Sequence, residues 1–374
     1  MSNSELQLFA STARAFLDKQ MPLSRVRQLH ADGGSFDRIW WQRAAELGWA
    51  GLLVPEDLGG GSVSGDGVAD LAMLAELCGR TVAPGPLHPV STVLAALAET
   101  PEGHHDTVAA LVSGAAIAAW APYRPGAGWN PFDPGVRATE TGGTVTLTGT
   151  ADRIEAGDSA DLLLVIAHCG TGVRQFLVPT DAAGVTIEVQ QSIDLVKRYA
   201  QAHLDGVQIS AAAAVGTGAG TPALLARQAQ IAGTLQCAET VGILGAVLEF
   251  TIQWALDRHS FGRPLASYQA LKHQFADLKI AYETCRATTA GAVRAVSARS
   301  PEAALEVSVA KSFVGEQAPN MLQRCVQLHG GIGVTWEHDL HLYLRRATLN
   351  RSMFGTPEDH TLAVYAAEAQ KAAS

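Results

Sequence analysis

No two of the five cysteines (Cys78, Cys169, Cys237, Cys285, Cys325) form a C-x-x-C pair. That absence excludes a zinc ribbon or dithiol centre, and an odd, scattered set points to reduced thiols and a cytoplasmic protein. Basic residues are also short: 27 Lys and Arg stand against 36 Asp and Glu, for a net charge of −9. Such a chain offers no basic face for nucleic acid. Apolar runs such as Ala115–Ala121 and Leu162–Ala167 are far too short to cross a bilayer. The start, MSNSELQLFASTARAFL, lacks the basic opening and apolar block of a signal peptide, so neither export nor a membrane is expected. His338 and His341 stand three apart without a third ligand or an HExxH pattern, which gives no basis for a metal. No fixed-period repeat is present.

What the chain does have is 47% hydrophobic residues in 374 positions, enough for two or three cored domains. Residues 1–112 read as helical. Leu6, Phe9, Ala13, Phe16 and Leu17 follow a helical period, and Ser35 is placed to cap a helix carrying Ile39, Trp40, Ala44 and Leu47. Further helices are expected near Val68–Cys78 and Ser91–Glu99. Residues 113–215 change texture: Thr144–Gly149, Arg174–Val178 and Val185–Val189 alternate, and Asp161–Ala167 is a short apolar run, as in a small β domain. Residues 216–374 return to long helical patterns. Thr221 and Pro222 suit an N-cap and first helical position, and the stripe Leu265, Tyr268, Leu271, Phe275, Leu278, Tyr282, Cys285 is that of a bundle helix. The expected fold is mainly α: an N-terminal helical domain, a middle β barrel or sandwich, and a C-terminal four-helix bundle.

One stretch near the end interrupts this pattern, Gln327-Leu328-His329-Gly330-Gly331-Ile332-Gly333. Three glycines in four positions do not belong inside a helix; they suit a tight turn where φ is positive or where backbone must approach something closely. The turn presents Gln327 and His329, and by itself serves equally as a helix joint or as a ligand site. A second stretch, Asp257-Arg258-His259-Ser260-Phe261-Gly262-Arg263-Pro264 followed by Gln269 and Lys272-His273, breaks two long helices.

Taken together, these two stretches resemble the acyl-CoA dehydrogenase family, whose motifs run R-x-x-F-G-x-P…Q…KH and Q-x-x-G-G-x-G-x-x-x-E. The likeness extends over almost the whole chain, with Pro55-Glu56 and its glycines and the Ala160-Asp161-Leu162-Leu163 strand in weaker support. The resemblance implies FAD-dependent α,β-desaturation of an acyl-CoA thioester, with electrons passing on to an electron-transfer flavoprotein. A carboxylate base held in a dry pocket takes the α-proton, and the β-hydride leaves for the flavin. It also implies a flavin lying between subunits. Arg258 would meet the pyrophosphate as a planar cationic fork. Phe261 would pack on the cofactor, and Gln327 with the backbone at Gly330 and Gly331 would contact its far end. Gln269 and Thr356 complete the implied cofactor set.

The pattern breaks where chemistry is required. Phe354 and Ala232 occupy the family's two base positions, and neither accepts a proton. Flavin-facing β segments fall on Ala121-Pro122-Tyr123 and Arg153-Ile154-Glu155, where an acidic Glu155 replaces a small hydroxyl donor. Glu239, seven residues after Ala232 on nearly the same helix face and among apolar neighbours, is a candidate relocated base with a raised pKa, or else a structural glutamate bonded to a neighbouring helix. The pattern resembles the partner subunit of heteromeric bacterial acyl-CoA dehydrogenases of the sterol side-chain type, which would complete the FAD site of a paralogous chain. Two other readings stay open: a self-sufficient enzyme using Glu239, and a flavin-free scaffold or CoA-ester binding protein.

Overall fold

A computed structural model of the chain describes residues 3–170 and 172–373. The first 112 residues supply α1 (Asn3–Gln20), α2 (Leu23–Ala31), α3 (Arg38–Glu46), α4 (Gly67–Thr81), α5 (Leu87–Leu97) and α6 (His105–Val112). Ser35 does not cap α3. Its hydroxyl donates to the Val196 carbonyl at 2.6 Å, and the Asp37 carboxylate instead accepts from the Trp40 amide at 2.6 Å. An ionised acceptor beside the positive end of a helix is the better cap, and that leaves the serine free for a tertiary bond.

The strands are β1 (Ala118–Ala121), β2 (Val136–Thr141), β3 (Thr144–Glu155), β4 (Leu162–Cys169), β5 (Gly172–Pro179), β6 (Val185–Gln190), β7 (Tyr199–Ser210) and β8 (Ala214–Val215). They form one mixed sheet in the order β6-β7-β3-β2-β4-β5-β8, with β1 added parallel to β4. Along β3 and β7 the register slips between Ala151 and Ile154, where Arg153 takes φ 48°. This bulge turns the end of β3 so that Ile154 and Glu155 both face inward, buried side by side.

The remaining chain is α7 (Thr221–Asp257), the short hairpin β9 (His259–Ser260) and β10 (Arg263–Pro264), then α8 (Gln269–Ser297), α9 (Ala303–His329), α10 (Leu340–Ser352) and α11 (Pro357–Ala373). Helix α7 begins at Thr221 itself, with Gly220 in the cap position, one residue earlier than expected. Its most apolar 18-residue stretch is hydrophobic enough to cross a membrane, yet that stretch is almost wholly buried, with α4, α5, α8, α9 and α10 packed around the helix. That makes it the central strut.

Two glycines let α4 lie directly against this strut. A Cβ added at Gly79 would sit 2.0 Å from the Glu239 carbonyl oxygen, and one at Gly242 would sit 1.9 Å from that of Glu76. The close crossing carries Glu239 to the junction of the three regions, under α5, the sheet and α10.

Candidate functional site

Two parts of the molecule bear on function, and α7 joins them. The first lies at its C-terminal end. There the hairpin, the start of α8, the end of α9 and the glycine turn enclose an open cavity of about 760 Å³. Its lining includes Arg258, Gln274, Gln327, His329, Gly330 and Gly331. Four of the residues expected at a cofactor edge (Arg258, Gln327, Gly330, Gly331) thus share one wall.

Each is placed by local chain geometry. Gly330 ends α9 at φ 67° and ψ −145°, a conformation essentially confined to glycine. A Cβ at Gly330 or Gly331 would meet nothing within 4 Å, so the space over this backbone is free, whereas at Gly333 it would strike the Val326 carbonyl at 2.6 Å. Arg27 of α2 grips the far side of the turn. It donates to Asp339 at 2.8 Å and to the Trp336 carbonyl at 2.8 Å.

Arg258 has no acidic partner among the described residues, and its guanidinium stands 5.9 Å above the Trp254 ring. The neighbouring acid, Asp257, is taken up by Gln253 at 3.0 Å. A cation left unpaired at the mouth of a cavity is suited to an anion arriving from outside.

Phe261 caps the hairpin at φ 51° with 96% of its surface exposed. Ile332, which lines the cavity, is 42% exposed, and Val334 and Trp336 of the same turn are exposed as well. Gln269 does not line the cavity. It is exposed at the start of α8, and Gln274 from the next turn reaches the cavity instead. The helical period places 269 and 274 on different faces, which spacing from the motif alone did not resolve. Thr356 lies outside this cavity as well. It caps α11, its amide donating to Asp359 at 2.9 Å and its hydroxyl accepting from the Asp359 amide at 3.2 Å.

The second part surrounds Phe354. This residue follows α10 at φ 56°, and its ring is boxed by Trp120 (6.0 Å, stacked), Trp129 (5.3 Å, edge-on) and Tyr123 (6.1 Å). Its amide donates to the Tyr123 hydroxyl, and its carbonyl accepts from His360 Nε2 at 2.9 Å. One residue earlier, the Met353 carbonyl accepts from Lys311 Nζ at 2.6 Å, and burial lowers that amine to about 8. A left-handed backbone costs a bulky residue energy, so this loop is held by its surroundings rather than by local preference. Ala232 is buried in α7. Neither position provides a base.

Glu239 is not the poised carboxylate that its apolar sequence neighbours imply. Only 2% exposed, it accepts from Lys197 at 2.9 Å, from Arg346 at 2.6 Å and from Asn350 at 2.9 Å. Burial pushes its pKa up, but Lys197 and Arg346 more than offset this and hold the carboxyl far below the usual range. Both cations come from distant sequence, so no local signal announces them. Arg346 also binds Asp194, and Lys197 lies 3.3 Å from Glu155. Glu155 accepts from the Tyr199 hydroxyl at 3.3 Å, and burial, the largest influence on it, raises its pKa.

The adjoining cavities measure about 20 Å³ beside Glu155 and Glu239 and about 10 Å³ beside Gln236 and Lys311. Each is room for a single water at most. A further open cavity, about 630 Å³, lies between the Leu52–Val68 loop and the ends of α7 and α8. It is lined by charges of both signs, including Glu56, Asp66, Arg227 and Arg294.

The acyl-CoA dehydrogenase N-terminal domain model matches residues 3–101, and the corresponding C-terminal domain model matches residues 218–368. The chain is 28% identical over 358 residues to the acyl-CoA dehydrogenase IpdE2 of Mycolicibacterium smegmatis, covering 96% of each. Among solved structures it is similar to a variant of the Tcur3481-Tcur3483 steroid ACAD, with a TM-score of 0.89, 29% identity and 99% of each chain covered. It is also similar to the ChsE4-ChsE5 complex of Mycobacterium tuberculosis, with a TM-score of 0.86 and 26% identity over 99% of this chain and 98% of that one. Matched at both ends and over its full architecture, the chain belongs to the acyl-CoA dehydrogenase family, FAD-dependent oxidoreductases that act on CH–CH groups.

Proposed function

We propose that this chain is the base-less subunit of a heteromeric acyl-CoA dehydrogenase and completes the FAD site of a paralogous partner that carries the catalytic carboxylate. The observation that carries the reading is the contrast between its two half-sites. Phe354, at a position where the family resemblance sets the base, is enclosed by an aromatic box, while Arg258, Gln327 and the Gly330-Gly331 backbone line an open cavity. The likeness to structures composed of paired chains supports it.

The residues fit one end of the cofactor and not the other. Unpaired Arg258 suits a diphosphate, and backbone free of side chains at Gly330 and Gly331 permits close approach. Of the β segments that the family resemblance sets beside the isoalloxazine ring, Tyr123 packs against Trp129 and Glu155 turns inward to Lys197. FAD, when bound between the subunits, accepts the β-hydride of the acyl-CoA thioester and passes its electrons to an electron-transfer flavoprotein. This chain holds the cofactor's outer half, excludes water with Phe261 and its apolar surroundings, and moves no proton.

The self-sufficient reading requires Glu239 as the base. Its ion pairs oppose that role, because a carboxyl held this far below the usual range is a poor acceptor. The test is a visible spectrum of the chain purified alone and after co-expression with its paralogue. The expected result is a colourless protein alone, and a flavin-loaded, acyl-CoA-oxidising complex with the partner. A yellow protein alone that bleaches with acyl-CoA would overturn the proposal, and a colourless preparation in both cases would make the chain a scaffold.

A further inference from the structure

The cavity of about 630 Å³ between the Leu52–Val68 loop and the bundle plays no part in the reading above. Arg227, which lines it, stands near the start of α7, whereas Arg258 follows the last residue of that helix. The loop wall is held in place by the chain itself. Asp70, fully buried in α4, accepts from the Val63 and Ser64 amides at 2.6 and 2.9 Å. Asp66 accepts from the Ala69 amide at 3.0 Å and from the Ser297 hydroxyl at 2.7 Å, which ties the loop to the end of α8. Gly67 lies so close to Leu52 that an added Cβ would come within 2.0 Å of its carbonyl oxygen. Leu52, Val54 and Val68 are buried and give the wall an apolar face. A pre-formed, partly apolar hollow of this size is what a small-molecule site requires.

The charges around the hollow are not paired with one another. Only 12% of the Arg227 side chain is exposed. It donates to the Val296 carbonyl, and the acid beside it, Glu99, is 3.9 Å away and bound to Arg299 at 2.7 Å. Burial, the largest influence, holds the Arg227 pKa below the usual guanidinium value. A nearly buried cation short of counter-charge favours an anion brought from outside. Arg294 of α8 also lines the hollow and makes no side-chain bond or ion pair among the described residues. On the loop side Glu56 is exposed and likewise unpaired. An anion alone would satisfy the two arginines but face Glu56, and a cation alone would have the reverse fault. A ligand carrying both charges meets both walls.

We propose that this cavity binds a small zwitterion with an aliphatic body, a free amino acid or a short peptide, its carboxylate on Arg227 and Arg294 and its ammonium on Glu56. Leu52, Val54 and Val68 give its side chain an apolar surface. The loop, α7 and α8 all contribute, so occupancy braces the N-terminal helices against the bundle and raises the melting temperature.

The test is calorimetry on the full-length chain with leucine, leucyl-leucine, isocaproate (the carboxylate without the ammonium) and isoamylamine (the ammonium without the carboxylate). Leucine or leucyl-leucine should bind, and whichever binds more tightly identifies the source as a free amino acid or a peptide. Isocaproate and isoamylamine should each bind about tenfold more weakly, the scale of one lost hydrogen bond to a charged group. Arg294→Ala should weaken the zwitterion by a similar factor. Glu56→Gln should weaken it too, while leaving isocaproate no weaker. Both side chains are exposed, so the unliganded variants should melt as the wild type does. Flavin retention with the paralogue should be unchanged in both, which separates this site from the one at Arg258. Equal binding of leucine and isocaproate, binding untouched by either substitution, or no binding of any probe would overturn the proposal and leave the subunit reading as it stands.

Discussion

Around Glu239, five charged side chains (Glu155, Asp194, Glu239, Lys197, Arg346) are buried against one another, while nineteen residues along α7 Arg258 faces an open cavity without a counter-ion. At ~1.5 Å per residue the two lie roughly 28 Å apart on one helix. The first region satisfies its charges internally and has no room for a ligand. The second leaves a cation for something not part of this chain. On the proposed reading, this chain keeps the half of a site that serves a neighbour and closes the half that would serve itself.

The largest effect should come from opening the closed region. Arg346→Ala leaves Glu239 and Asp194 buried without their shared cation, and should cost about 3–5 kcal/mol of stability in a denaturant titration. The same region should set the acid limit. The folded Glu239 carboxyl lies below its unfolded value of about 4.3, so its stabilising contribution is complete above that pH and is lost as pH falls through and below it. Glu239→Gln should therefore flatten the acid side of the stability curve and leave turnover of the folded complex nearly intact. A collapse of turnover without loss of folding would restore Glu239 as a base and erase the comparison.

At the open end, Arg258→Ala should reduce flavin retention in the complex by about 1.5–3 kcal/mol, the range for a hydrogen bond to a charged group, with no change in melting of the flavin-free protein. On the proposed reading, Phe354→Glu, tested on the chain alone, should yield neither bound flavin nor turnover, because Trp120, Tyr123 and Trp129 still crowd that position. A yellow, active variant would show that one side chain closed this half-site. The smallest effect belongs to Thr356→Ala. Loss of the α11 cap should cost about 0.5–2 kcal/mol and leave flavin content unchanged, which separates this residue from the cofactor set.

Local pattern carries far in this chain. The apolar period of α8, the alternation in β3 and the glycines after Gln327 are all readable residue by residue. Two further details turn on the fold. Ser35 yields the cap of α3 to Asp37 because Val196, 161 residues away, claims its hydroxyl. Gln274 replaces Gln269 at the cavity because the exact start and phase of α8 decide which face looks inward.

Periodicity and glycine content follow from the order of the residues, because they depend on neighbours within a few positions. The state of Glu239 does not. Its apolar sequence neighbours point to a raised pKa, and only the folded chain sets Lys197 and Arg346 within 3 Å of it and reverses the sign. Coulomb attraction depends on distance in space, and the contacts that decide it here are separated by 42 and 107 residues along the chain.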